Sequence, residues 1–216
     1  MHGILSDCRV LPVVTANDVK TTVQLAKTLE KGGMRAVEIT LRTDAALDAI
    51  RAVKAEVPGV RVAAGTIVNP DDLARAIAAG ADFFVSPGCT GQLLAAAAET
   101  GVDFLPGIAT ASELMLAMDH GFGHFKLFPA VAAGGISLLK GLGGPFPEAY
   151  FCPTGGLNRQ NFREFLALPN VLCCGGSWMV GDNLVNAGEW QQIEDLAREA
   201  MSDSENHLRG DCNGTG

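Results

Sequence analysis

Short apolar runs recur along this chain, each followed by a polar turn, an Ala/Leu-rich stretch of helical character and a glycine. The runs are Val10–Thr15, Ala36–Leu41, Val60–Ala64, Asp82–Ser86, Phe104–Gly107, Phe122–Phe128, Ala149–Pro153 and Val171–Cys174. Their starts lie roughly 20 to 28 residues apart, which is the length of one strand, one helix and two loops. The helices between them have legible ends. Asn17-Asp18 opens one that stops at Gly32-Gly33, and Asn69-Pro70-Asp71 opens another that closes at Gly80. Thr90 and Thr110 open two more, and Asn158 leads into 162–168. Polar N-caps, a proline in the first turn and a glycine past the last are the expected punctuation. Alternating units of this length imply parallel strands joined by right-handed crossovers. Eight units before Ser177 predict a single closed (β/α)8 TIM barrel rather than an open sheet.

An open doubly wound sheet would carry a glycine-rich fingerprint after its first strand. Only Ala16-Asn17-Asp18 stands there. The cluster Gly141-Leu142-Gly143-Gly144-Pro145 follows a helix-like stretch and runs into a proline, so it reads as a loop, and no dinucleotide is expected. From Ser202 the chain turns polar and loses its periodicity. The expected organisation is one barrel over 1–201 and a disordered tail over 202–216.

Composition narrows the function. With 48% hydrophobic residues in 216, the chain can bury a large core. Lys+Arg number 16 against 24 Asp+Glu, a net charge of -8. That excess of acid argues against a nucleic-acid partner and against a polybasic membrane surface. The long uncharged stretch Phe83–Ala98 is broken by Pro87, Gly88 and Gly91 and falls short of the ~18 apolar residues of a span. Met1–Arg9 has no apolar run, so no secretory leader is expected and a cytoplasmic location is. The cysteines at 8, 89, 152, 173, 174 and 212 then read as reduced thiols. They form no C-x-x-C pair, and the histidines at 2, 120, 124 and 207 form no helical ligand pair, so neither a structural zinc nor any other cofactor is expected.

Candidate chemistry comes from polar groups on the inward parity of strands. Lys126, in His124-Phe125-Lys126-Leu127-Phe128, is the lysine that falls inside an apolar strand. If Phe125 and Leu127 face the helices, Lys126 faces inward. A buried amine favours its neutral form and becomes a nucleophile toward carbonyls. On the second strand Val37, Ile39 and Leu41 share one parity, and Glu38, Thr40 and Arg42 the other. A carboxylate, a hydroxyl and a guanidinium directed into a barrel build a polar site; a structural ion pair is the plainer alternative. Pro153-Thr154-Gly155-Gly156 and Gly175-Gly176-Ser177 follow the seventh and eighth strands. Backbone N–H groups in such turns bind phosphate dianions, at the place where barrels often hold them. Thr66 ends the third strand with a hydroxyl, and Ser86-Pro87-Gly88 ends the fourth with a rigid turn. Cys152, Cys173 and Cys174 read as small core residues, the last two facing opposite ways. No G-x-S-x-G occurs, so there is no serine-hydrolase elbow.

Six segments together resemble the KDPG aldolase family (2-keto-3-deoxy-6-phosphogluconate aldolase, also 4-hydroxy-2-oxoglutarate aldolase). They are VEITLRT at 37–43, AGTIVNP at 64–70, SPG at 86–88, FKLFPA at 125–130, CPTGG at 152–156 and GGSW at 175–178. The resemblance covers residues 9 to 201. It implies a lyase in which Lys126 forms a Schiff base and Glu38 is the general acid/base. Arg42 and Thr66 would bind the pyruvyl end of the substrate. Pro87, Phe128 and Thr154 would line the pocket, and Gly155, Gly156, Gly176 and Ser177 would hold the phosphate. It further implies a metal-independent cytoplasmic homotrimer of the Entner–Doudoroff pathway, acting on a phosphorylated 2-keto acid. Val131 and Ala133 depart from the polar residues expected there. Two other readings share the barrel: a phosphosugar isomerase or epimerase working without an imine, and a non-catalytic sensor of phosphorylated ligands.

Overall fold

The computed structural model describes residues 1–210, with side chains as far as Ser204. Among the described residues nine parallel strand segments form the wall: β1 Val10–Thr15, β2 Ala36–Thr40, β3 Arg61–Gly65, β4 Phe83–Val85, β5 Phe104–Leu105, β6 Gly107–Ile108, β7 His124–Leu127, β8 Tyr150–Pro153 and β9 Cys174–Gly176. β5 and β6 are one stave interrupted at Pro106, which has no N–H for a ladder. β5 pairs back with β4, and β6 pairs forward with β7. The six segments β5-β4-β3-β2-β1-β9 and the three segments β6-β7-β8 meet again through bridges Phe151↔Val171 and Thr154↔Gly175. The ring is therefore an eight-stave barrel, as the spacing predicts.

The capping residues behave as their chemistry requires. Asp18, Asn69, Thr90 and Thr110 each accept a hydrogen bond from a first-turn N–H of the helix they precede. Thr110 and Glu113 form a reciprocal capping box. Strand parity is also as expected. Val37, Ile39, Phe125, Leu127 and Cys174 pack in the layer between strands and helices, whereas Cys152 and Cys173 pack inside the barrel.

Four features add to or correct the reading of the sequence. First, Met1–Arg9, for which the sequence predicts no element, holds helix α1 (His2–Cys8), which lies under the barrel. Its Ile4, Leu5 and Cys8 join Leu11, Ala36, Ala63, Phe83, Val85, Leu105, Cys152 and Cys173 in one buried cluster. That cluster forms the floor of the barrel interior. Second, Gly141 and Gly143 are not loop residues; they are in the last turn of a helix over Gly135–Gly143. Third, the last stave is shifted along the chain. Val171 makes only a bridge, and the strand is Cys174–Gly176. A Cβ on Gly175 would collide with Thr154, and one on Gly176 with the Trp178 ring, so these glycines serve close approach inside the wall.

Fourth, the polar run from Ser202 does not begin a tail. It continues a helix, Trp190–Gly210. Ile193, Ala197, Ala200, Met201 and Ser204 are buried at helical spacing, and Ser204 Oγ donates to Met201 O at 2.7 Å. A buried serine bonded within its own helix keeps the stripe going where hydropathy falls away. Asp203 also pairs with Arg163 at 3.4 Å. Residues 211–216 of the expected tail lie outside the described residues.

Candidate active site

The upper half of the barrel interior is polar where the lower half is apolar. Glu38, at the middle of β2, is level with Ala63 on β3. Lys126, on β7, is level with Gly107 on one side and Cys152 on the other. These registers aim both side chains across the barrel. Lys126 Nζ donates to Glu38 Oε1 at 3.0 Å and to Oε2 at 3.2 Å. The pair is 6% and 1% exposed at its side chains. Two opposite charges so deeply buried are tolerable only as partners. Moving one proton from nitrogen to oxygen turns the ion pair into a neutral amine beside a carboxylic acid. That is a nucleophile with its proton acceptor already in contact.

Backbone choices hold this pair in place. A Cβ on Gly65 would collide with the Glu38 carboxylate, so the glycine ending β3 gives the carboxylate its room. Gly65 is a site residue that its sequence position alone does not reveal. Its role depends on which strand lies beside β2. Gly107 lets the Pro87-Gly88 main chain lie against β6, and its N–H donates to buried Ser86 Oγ at 3.1 Å. Phe128 presents its ring 5.4 Å from Lys126 Nζ.

The remaining sequence-derived candidates sit on the C-terminal rim, with one exception. Thr40 is buried and donates to Val14 O at 3.0 Å, so it serves the wall and not the rim. Arg42 is exposed just past β2, and no ion pair engages it among the described residues. Thr66 follows β3 at φ 62, left-handed backbone that a β-branched residue seldom takes. Such strain, about 1–3 kcal/mol, persists only where the surroundings over-determine it. Pro87 and Phe128 are half-buried at the ends of β4 and β7. Thr154 is buried just past β8, bridged to Gly175.

That bridge brings the two glycine segments side by side. Gly155 and Gly156 take φ 98 and φ 81, and a Cβ on Gly156 would lie 2.8 Å from Val131 Cβ. Gly176 ends β9, and Ser177 follows, exposed. The N–H groups of Gly156 and Ser177 donate to no protein acceptor among the described residues. Unsatisfied N–H groups in adjoining turns form a concavity suited to an anion. The rim thus offers a guanidinium and a hydroxyl after β2 and β3, and free N–H groups after β8 and β9, with the amine and carboxylate below. Among the described residues no three His, Cys, Asp or Glu side chains converge to hold a metal.

Residues 1–196 match the family model of KDPG and KHG aldolases. A 2-dehydro-3-deoxy-phosphogluconate aldolase of Pseudoalteromonas atlantica is 50% identical over 201 residues, spanning 93% of this chain and 94% of that protein. A KHG/KDPG aldolase of Escherichia coli K12 is 49% identical over 200 residues, spanning 93% and 94%. Among solved structures, a KDPG aldolase from Legionella pneumophila with pyruvate captured at low pH as a covalent carbinolamine intermediate superposes with a TM-score of 0.90. It is 40% identical and the match covers 92% of this chain and 97% of that one.

Proposed function

The chain belongs to the KDPG and KHG aldolase family, and from that premise we propose how its own residues carry the reaction. It is a Schiff-base-forming aldolase that cleaves 2-keto-3-deoxy-6-phosphogluconate to pyruvate and glyceraldehyde 3-phosphate, and its activity extends to 4-hydroxy-2-oxoglutarate. The observation that carries this reading is the buried contact of Lys126 Nζ with Glu38 Oε1 at 3.0 Å.

The neutral Lys126 amine attacks the C2 ketone and gives a carbinolamine. The proton that Glu38 took from Lys126 leaves with the carbinolamine hydroxyl as water, which restores the Glu38 carboxylate and leaves an iminium, an electron sink for the C3–C4 bond. Glu38, directly or through one water, takes the proton of the C4 hydroxyl as that bond breaks. The C4 carbon leaves as the aldehyde. Glu38 returns that proton to C3 of the enamine, the iminium is hydrolysed, and pyruvate departs with Lys126 restored. Arg42 and Thr66 receive the carboxylate end, Pro87, Phe128 and Thr154 shape the pocket, and the N–H groups of Gly155, Gly156, Gly176 and Ser177 receive the phosphate. An isomerase or a ligand sensor would leave Lys126 without a covalent role.

Incubation with pyruvate and borohydride, followed by mass measurement, tests the assignment. The protein gains the mass of one reduced pyruvyl adduct, and Lys126→Arg gains none. An unchanged mass in the wild type would remove the imine and with it the aldolase reading. We further place the enzyme in the cytoplasm as a homotrimer. A closed barrel has no free sheet edge, so its subunits meet through outer helices and loops. Light scattering that gives a monomer or dimer at micromolar concentration would overturn the trimer.

A further inference from the structure

The end of the barrel opposite the amine carries a cluster that aldol chemistry does not use. His2 is the first residue of α1 and His124 the first of β7, 122 residues apart in sequence. In the fold His2 Nδ1 faces His124 Nε2 at 3.2 Å. Tyr150, the first residue of β8, orders both rings. His124 stacks on it at 5.7 Å between centroids, and His2 stands edge-on to it at 5.0 Å. The α-amino group of Met1, next to His2, is paired with Asp103. A cavity of about 320 Å³ opens beside the pair, lined in part by Met1, Asp103, His120 and His124.

We propose that His2 Nδ1 and His124 Nε2 form a binding site for one divalent transition-metal ion of the zinc, nickel or copper class. With Zn–N bonds of about 2.0–2.1 Å, two nitrogens of a tetrahedral site stand about 3.3 Å apart. The observed spacing of 3.2 Å is close to that value, with His124 held by stacking on Tyr150 and His2 by its edge-on contacts with both rings. In the metal-free protein one proton is shared along the N···N contact. Loading the ion requires that each neutral imidazole carry its proton on the other ring nitrogen and turn its lone pair toward the ion, so no net proton need be released. Imidazole suits these borderline ions, whereas magnesium and calcium prefer oxygen. Two imidazoles supply the protein ligands, with water from the adjoining cavity at the other positions. Affinity is therefore micromolar rather than that of a closed structural site. Bound metal would tie α1 to the barrel wall.

The test is calorimetric titration of ZnCl₂ into the full chain with no tag added at Met1, after dialysis against a chelator. One equivalent binds in the micromolar range, magnesium gives no heat, and His2→Ala and His124→Ala each weaken zinc binding by at least about tenfold. His2 is exposed, so His2→Ala keeps the fold and its aldolase turnover. Proton NMR of the imidazole C–H signals adds a second readout, with His2 and His124 shifting on zinc addition. Absence of zinc binding below millimolar concentration, or a folded His2→Ala variant that binds zinc like the wild type, would overturn the proposal.

Discussion

Lys126 Nζ and Glu38 Oε1 lie 3.0 Å apart at the centre of the barrel, on strands that are not neighbours. The contact neutralises each charge in a place where neither could stand alone. In the proposed mechanism it also stores the nucleophile and its base as one unit, separated by a single proton transfer.

This coupling makes stability a readout of the pair. Lys126→Met leaves Glu38 buried without a partner and lowers stability by about 3–5 kcal/mol. The double variant Glu38→Gln/Lys126→Met removes both charges and recovers much of the loss. Urea denaturation of the three proteins measures it. A single Lys126→Met variant as stable as the wild type would mean that solvent or another cation reaches Glu38.

Glu38→Gln separates imine formation from proton transfer. The amide keeps the shape of the carboxyl but accepts no proton. Cleavage therefore falls by about 10²–10⁴ in kcat. Borohydride trapping with pyruvate continues at a reduced rate, because Lys126 is intact. Unchanged kcat would place the base elsewhere in the barrel.

For the phosphate end, a change at Gly156 confounds charge with strain, because Gly156 is left-handed and crowded by Val131. Ser177 is exposed and has no such constraint. Ser177→Asp adds a negative charge at the proposed phosphate site, and it should raise KM for the phosphorylated keto acid by about tenfold or more. Imine trapping with pyruvate, which has no phosphate, should be unaffected. Equal losses in both assays would move the phosphate site away from these turns.

Thr66 provides a stability–activity contrast. Thr66→Gly relieves the backbone strain at φ 62 and changes unfolding free energy by no more than about 1 kcal/mol in either direction. It also removes the rim hydroxyl, so kcat/KM falls in a well-folded protein. Parallel denaturation and steady-state assays distinguish this from a general loss of structure.

At the other end of the barrel, burial, the His2 ring and the Met1 α-amino group hold His124 down at a pKa of about 4, with Asp103 opposing them. An unfolded histidine titrates near 6.5. Between those values the unfolded chain binds more protons, so the contribution of His124 is complete above pH 6.5 and is lost as pH falls toward 4. Because the ring is half-exposed, solvent screening reduces the effect. In chelator-treated protein, Tm should fall from about pH 7 to about pH 5, and His124→Asn should flatten that slope.

Much of this enzyme was determined by local sequence. The eight apolar runs, the caps at Asp18, Asn69, Thr90 and Thr110, and the inward parity of Glu38 and Lys126 follow from period-two strands and from orphan N–H groups that need acceptors. Those constraints act within a few residues, so sequence alone shows them. The contact between Glu38 and Lys126, the room that Gly65 leaves for the carboxylate, and the interlock of Gly175 with Thr154 were decided by which strands become neighbours and in what register. So were the pairing of His2 with His124 and the burial of Ser204. Local propensity carries no record of these relations, because each joins residues that meet only when the barrel closes.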